Sequence, residues 1–210
     1  MEQWHGEQAA VLGSLVAAVN DHDAYTGGHS YRTADYASGI ARSLGYSPAE
    51  VKVIRQAALV HDIGKIGIPN RILSKDYELT DDERDLLRLH PVMGANILAR
   101  MPGTARLIPI VLHHHERWDG RGYPDGLSGT RIPVESRIIL VADAYDAMTT
   151  ERPYGRVLDP DEAMDEISRF TGTQFDPLMV DAAHGTHQSG YLAVTGNRTI
   201  RIVDPEPHPI

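Results

Sequence analysis

The chain has 210 residues, enough for one domain of ordinary size with a short appendage. Charged residues make up 23% and hydrophobic residues 41%, a balance that excludes disorder over most of the length. A net charge of −9 leaves no global basic field for duplex nucleic acid, and no apolar run approaches the roughly 18 residues of a membrane span. Cysteine is absent, which removes disulfides, thiolate metal sites and cysteine nucleophiles. The N-terminus, Met1-Glu2-Gln3-Trp4-His5, has no signal-peptide pattern, so a cytoplasmic protein is expected.

The predicted elements are mostly helical. Residues 3–20 are rich in Ala, Val and Leu and read as an N-terminal helix or stalk, broken at Thr26-Gly27-Gly28. A stripe of His29, Thr33, Tyr36, Ile40 and Leu44 at helical spacing defines the next helix, which stops at Gly45. Ser47-Pro48-Ala49-Glu50 is a capping box. Its helix carries Val51, Ile54, Ala58 and His61 on one face and stops near Gly64. Thr80-Asp81-Asp82-Glu83 is a second box, opening a helix predicted to deliver Leu86, Leu87 and, at its end, His90. Pro91 starts a further helix to about Met101, and Pro102-Gly103-Thr104 opens another that runs to His113-His114-His115. Residues 117–133 form a long loop rich in glycine and proline, a kind that is usually functional inside a compact domain. Pro133 begins a helix with the stripe Val134, Ile138, Val141, Tyr145 and Met148. A third capping box, Asp159-Pro160-Asp161-Glu162, feeds Ala163, Ile167 and Phe170, and a last short helix begins at Pro177. Beyond Gly190, residues 191–195 and 198–203 flank Gly196-Asn197, a turn pair suited to a β-hairpin.

Histidine is the anomaly in this composition, with eleven in the chain. His5, His22, His184, His187 and His208 fall outside any cluster, whereas the other six keep company. The dipeptide His61-Asp62 is weak alone, since the chain has a second one, His22-Asp23. Its surroundings lift it. His29 lies 32 residues earlier at a helix start, His90 lies 29 residues later, and His113-His114-His115-Glu116 follows. Asp143 sits in an otherwise apolar helix between Ala142 and Ala144, where a charge needs a partner. Helix starts and ends can converge on one cavity in a bundle. Imidazole and carboxylate ligands suit Mn, Fe, Co, Ni or Zn better than Ca or Mg. So many candidate ligands exceed the needs of one catalytic ion with open positions. Two ions bridged by a carboxylate use them better, and Asp62, at the centre, is the natural bridge.

These residues resemble the HD-GYP family of the HD phosphohydrolase superfamily. His61-Asp62-Ile63-Gly64-Lys65 fits its HDxGK signature. His114-His115-Glu116-Arg117-Trp118-Asp119-Gly120-Arg121-Gly122-Tyr123-Pro124 fits its HHExxDGxGYP signature without a mismatch. Tyr25-Thr26-Gly27-Gly28-His29-Ser30 looks like the family's first ligand helix, and Asp143-Ala144-Tyr145-Asp146-Ala147-Met148-Thr149 looks like its last. The resemblance implies an all-α, HD-domain-like helical bundle, here with a small C-terminal β-hairpin appendage. Residues 1–22 would be the N-terminal helix or stalk, 23–188 the catalytic domain, and 189–210 the hairpin and tail. The implied activity is hydrolysis of cyclic di-GMP, a bacterial second messenger, to pGpG and then GMP. Carried over residue by residue, the metal ligands are His29, His61, Asp62, His90, His114, His115 and Asp143, with Asp62 bridging two divalent transition-metal ions. Iron and manganese lead, with zinc, cobalt and nickel as the other choices. Lys65 is expected at the substrate phosphate as a catalytic group, and Arg152 and Tyr123 are expected to contact the dinucleotide. The GYP loop implies diguanylate cyclase (GGDEF) domains as partners, and a homodimer is a further expectation.

Two departures qualify the resemblance. Tyr25 stands where three-metal members have an acidic residue, so two ions are expected. Gly155 stands where Arg or Lys often helps to hold the dinucleotide. The chemistry is coherent without the family name, because a phosphodiester's negative charge repels hydroxide. Two ions about 3.5–4 Å apart acidify a bridging water and neutralise the phosphoryl oxygens, so that hydroxide attacks in line with the leaving 3′-oxygen. Lys65 then stabilises the pentacoordinate charge. His113 reads as a packing residue beside the ligands, and Glu116 as a partner that orients a ligand histidine. Asp146 either supports the site or only caps, and Asp119 and Tyr123 either contact substrate or only fold the loop. Two other readings stand beside the main one: hydrolysis of another cyclic (di)nucleotide, and a low-activity adaptor that binds cyclic di-GMP.

Overall fold

The computed structural model describes residues 13–14, 16–17, 28–75, 77–151 and 156–189. Within them the chain runs through α1 (His29–Ser43), α2 (Pro48–Val60), α3 (Asn70–Leu73), α4 (Asp81–Leu87) and α5 (His90–Leu98). It continues through α6 (Ile108–Leu112), α7 (Val134–Thr149), α8 (Pro160–Arg169) and α9 (Pro177–Gln188). Short 3₁₀ turns occupy Ile63–Gly67 and Gly129–Arg131. Strand pairing among the described residues is limited to one bridge between Thr171 and Phe175, so the expected all-α bundle is present. The expected hairpin lies outside the described residues, as does most of the expected N-terminal stalk.

The core forms where α1, α2 and α7 meet. Small residues let their backbones approach: Ala34, Ala37 and Ala41 on α1, Ala57 and Ala58 on α2, and Ala142 on α7 are all buried. Ile40, Ile54, Ile138 and Ile139 fill the space between them. The rings of Tyr36 and Tyr145 meet edge-on at 5.0 Å between centroids. Helix α7 is apolar on more than one side because α8 and α9 also pack on it, through Ala163, Met164 and Ile167 and through Met179, Val180 and Ala183. All three capping boxes form, at Ser47/Glu50, Thr80/Glu83 and Asp159/Glu162.

The structure corrects two predicted boundaries. Helix α4 stops at Leu87, and His90 begins α5 instead of ending the earlier helix. Pro91 explains this, since proline has no N–H to continue a helix but is tolerated in a first turn. Helix α6 starts at Ile108 rather than near residue 104. The buried Thr104 does not open a helix: its hydroxyl donates to the carbonyls of Leu98 at 2.5 Å and Met101 at 2.7 Å, closing the end of α5.

The turn after α2 lies directly on the first turn of α5. A Cβ at Gly64 would stand 1.9 Å from the His90 carbonyl oxygen and 2.6 Å from the Gly94 nitrogen. The glycine of the HDxGK motif is therefore a steric requirement, and it brings His61-Asp62 beside His90. Gly185, in α9, has only an ordinary 3.7 Å contact. Gly64→Ala is expected to lower stability by about 1–3 kcal/mol through overpacking. Gly185→Ala is expected to raise it by about 0.5–1 kcal/mol through helix propensity. Thermal melts of the two variants check the contrast, and a Gly64→Ala protein as stable as the parent would contradict the close approach.

Candidate metal centre

The fold delivers its chemistry at helix boundaries. His29 is the first residue of α1, after Gly28 in the left-handed region at φ 83°. His61 and Asp62 follow α2, His90 opens α5, and His114 and His115 follow α6. Only Asp143 comes from the middle of a helix, α7.

These seven side chains form two sets. Asp62, His90, His114 and His115 each offer a ligand atom within 4.8 Å of the others, and so do His29, His61 and Asp143. Asp62 faces both. Its Oδ1 lies 3.2 Å from His90 Nε2, while its Oδ2 lies 3.4 Å from His61 Nε2 and 4.0 Å from His29 Nε2. Asp143 Oδ1 is 3.2 Å from His29 Nε2 and 4.0 Å from His61 Nε2. The Lys65 ammonium also reaches the centre, 2.7 Å from Asp62 Oδ2. His29, His61, Asp62, His90 and His114 are buried, and His115 and Asp143 are half-buried.

Hydrogen bonding fixes the tautomers. His61 Nδ1 donates to the Ala58 carbonyl at 2.7 Å, His90 Nδ1 to Leu87 at 2.8 Å, and His114 Nδ1 to Val111 at 2.6 Å. Each carbonyl lies three residues back, in the last turn of α2, α4 or α6, where it has no partner within its helix. A carbonyl only accepts, so Nδ1 carries the proton and Nε2 presents a lone pair. His29 follows the same rule with a different acceptor: its Nδ1 donates to Asp146 Oδ2 at 2.7 Å.

This arrangement tests whether the residues fit a metal. The Nε2 atoms of His90 and His114 stand 3.2 Å apart, and with both Nδ1 atoms protonated neither can donate to the other. His61 Nε2 is buried without a hydrogen-bond partner. Stranding a buried polar atom costs roughly 1–3 kcal/mol. Converging lone pairs backed by carboxylates relieve that cost by binding cations, and an imidazole–carboxylate donor set suits transition metals.

Charge is divided unevenly. Burial alone would lower the pKa of His29, but hydrogen bonds to Asp143 and Asp146 and the charges of Asp143 and Asp62 raise it to about 9. Burial likewise opposes charge on His61, and Asp62 and Asp143 outweigh it and raise its pKa. On the other side, burial and the neighbouring His90 push His115 down to about 3, despite Asp143 and Asp62. Burial and the surrounding histidines push His114 down too. Burial would raise Asp62, yet His61 and Lys65 hold it well below the usual carboxylate range, and His29 does the same for Asp143.

The GYP loop closes over the second set. The Tyr123 ring stacks on His115 with centroids 4.9 Å apart, and the Tyr123 N–H donates to the His115 carbonyl at 3.3 Å. A Cβ at Gly122 would fall 2.4–2.6 Å from backbone atoms of Arg117, Glu116 and His115, so the motif glycine lets the loop fold back on its own start. Asp119 folds the loop by accepting from Arg117 Nε at 3.1 Å, Arg117 Nη2 at 2.8 Å and the Arg121 N–H at 3.1 Å. Glu116 departs from expectation. It does not orient a ligand histidine; its buried Oε1 accepts from the Asp125 N–H at 2.8 Å and ties down the far side of the loop. His113 stays outside both sets, 3.8 Å from Glu116. Arg152 lies outside the described residues. Sequence reasoning overlooked Arg32, whose Nε and Nη2 reach Asp146 at 2.6 and 3.2 Å. Its spacing of three from His29 on the same helix was the available signal.

Known proteins are similar to this chain in sequence and in fold. The family model described as HD domain matches residues 14–179. The cyclic di-GMP phosphodiesterase response regulator RpfG of Xanthomonas campestris is 39% identical over 184 residues, which cover 87% of this chain and 49% of RpfG. The 3'3'-cGAMP-specific phosphodiesterase 3 of Vibrio cholerae is 39% identical over 159 residues, covering 76% of this chain and 35% of that protein. The chain thus spans half or less of the length of these relatives. The solved HD domain of the L. monocytogenes phosphodiesterase PgpH, in complex with cyclic-di-AMP, matches with a TM-score of 0.63 at 21% identity over 89% of this chain and 99% of that one, a likeness of fold alone. No helix among the described residues is long and apolar enough to cross a membrane. A family match running from residue 14 to residue 179 places the chain in the HD domain family, and its two intact signature motifs place it among the HD-GYP members.

Proposed function

We propose that the chain hydrolyses cyclic di-GMP to linear pGpG and onward to GMP, with two divalent transition-metal ions, iron or manganese, held by the seven clustered side chains. The observation that carries this reading is Asp62, which turns Oδ1 toward one ligand set and Oδ2 toward the other, as a bridge between two ions requires. The name of RpfG supports the substrate and the reaction.

Such ions, when bound, make water a competent nucleophile near neutral pH and neutralise the phosphoryl oxygens. The chain's own residues hold them and do the rest. His29, His61 and Asp143 hold one position, and His90, His114 and His115 hold the other. The Nδ1 bonds keep the imidazoles of His29, His61, His90 and His114 aimed. Lys65 stands beside the bridging carboxylate with a fifth of its side chain exposed, within reach of an anionic substrate seated over the pair. Its ammonium stabilises the charge that builds on the phosphoryl oxygens. Tyr123 backs His115 and borders the substrate, and Arg152 contributes a contact to the dinucleotide. The loop's exposed outer residues, Arg121 and Asp125, offer a contact to diguanylate cyclase (GGDEF) domains. A second reading, hydrolysis of a mixed cyclic dinucleotide, is favoured by the equal 39% identity to a relative named as 3'3'-cGAMP-specific.

Chromatography of products from manganese- or iron-loaded protein tests the assignment. Cyclic di-GMP is expected to give pGpG first and GMP later. Faster cleavage of 3'3'-cGAMP would move the assignment to the second reading, and no cleavage of either by protein holding two ions would overturn both. Asp62→Ala is expected to lose bound metal and activity together, by elemental analysis and by assay; a parent-like rate would refute the bridge. For Lys65→Ala, metal content is expected to persist while kcat falls about a hundredfold, and an unchanged kcat would remove its role.

A further inference from the structure

The ligand histidines are not supported alike. His61, His90 and His114 each donate Nδ1 to a neutral backbone carbonyl. His29 donates instead to a carboxylate, Asp146 Oδ2, at 2.7 Å. Hydrogen bonding to a carboxylate shifts electron density onto the opposite ring nitrogen and makes it a stronger donor to a cation. The His29 set also contains Asp143, whereas His90, His114 and His115 have only the shared Asp62.

Asp146 is fully buried, and its side-chain partners among the described residues all donate to its carboxylate. Oδ1 accepts from Arg32 Nε at 2.6 Å and from the Thr150 hydroxyl at 3.3 Å. Oδ2 is shared between His29 Nδ1 at 2.7 Å and Arg32 Nη2 at 3.2 Å. Arg32 therefore competes with His29 for the same carboxylate, from a half-buried position at the edge of α1.

We propose that Asp146 and Arg32 make the two ion positions unequal: Asp146 strengthens His29, so that the position of His29, His61 and Asp143 binds its ion first and more tightly, and Arg32 moderates that gain. The inference rests on the two-ion reading and goes beyond it by assigning positioning roles to two residues that touch neither ion nor substrate. Asp146 acts through His29, and Arg32 acts through Asp146. A purely structural pair would behave differently, because removing either member would weaken the site in the same direction.

The experiment is titration of chelator-treated protein with Mn²⁺ by equilibrium dialysis and elemental analysis, repeated with Co²⁺ to follow its visible absorption. The parent is expected to fill in two separable steps. Asp146→Asn is expected to weaken the tighter step by about 10- to 100-fold and to leave the other within about threefold. Arg32→Gln is expected to lower the melting temperature yet leave the tighter step as tight or tighter. An Asp146→Asn protein whose tighter step is unchanged overturns the inference, as does equal weakening by both variants. Should Asp146→Asn lose its cooperative melting transition, Arg32→Gln decides alone, and a weakened tighter step there overturns the inference. A parent that binds fewer than two ions overturns the two-ion reading and this inference with it, whereas two ions and an indifferent Asp146→Asn overturn the inference only.

Discussion

Three imidazoles, each just past a different helix, give their Nδ1 protons to carbonyls that those helices cannot satisfy for themselves. One interaction thus completes a helix end, fixes a tautomer and aims a lone pair. Repeated at α2, α4 and α6, it gathers Nε2 atoms around Asp62 with no hydrogens left to share between them. The centre is therefore built from backbone needs as much as from side-chain chemistry. Buried lone pairs facing one another would be costly in a resting core, and bound cations would turn that cost into binding.

The glycines of the signature motifs serve this arrangement by sterics. Gly64 lets the turn carrying His61 and Asp62 lie on the first turn of α5, so that this pair from one helix end meets His90 at another helix start. Gly122 lets the loop fold back over residues 115–117, which seats Tyr123 against His115. Motif spacing thus records backbone contacts, and the reactive side chains follow from where the backbones touch. Division of charge completes the design. The His29 side draws positive charge through Asp143 and Asp146, while His114 and His115 resist protonation and remain neutral donors.

Much of this was legible before any coordinates. Capping boxes at Ser47, Thr80 and Asp159 are local, so the helices they open could be read directly. The seven clustered residues were legible because two of them are adjacent in one motif, two in another, and His29, His90 and Asp143 read as a helix start, a helix end and a charge in an apolar helix. Other features depend on contacts between distant segments. The sorting of the seven clustered side chains into two sets follows from the approach of α1 to α7 and of the HDxGK turn to α5. The roles of Asp146 and Arg32 arise from pairs 117 and 114 residues apart. The role of Glu116 also depends on a fold-back of the loop, which turns its side chain to the Asp125 N–H and away from a ligand histidine. The α4–α5 boundary falls before His90 because Pro91 is tolerated inside the first turn, which leaves the exact starting residue open in the sequence.

Anomalous-scattering crystallography of the manganese-loaded protein tests the central claim most directly. The expected map has two peaks bridged by the Asp62 carboxylate, one beside His29, His61 and Asp143 and one beside His90, His114 and His115. A single peak, or two peaks of which only one contacts Asp62, would contradict it.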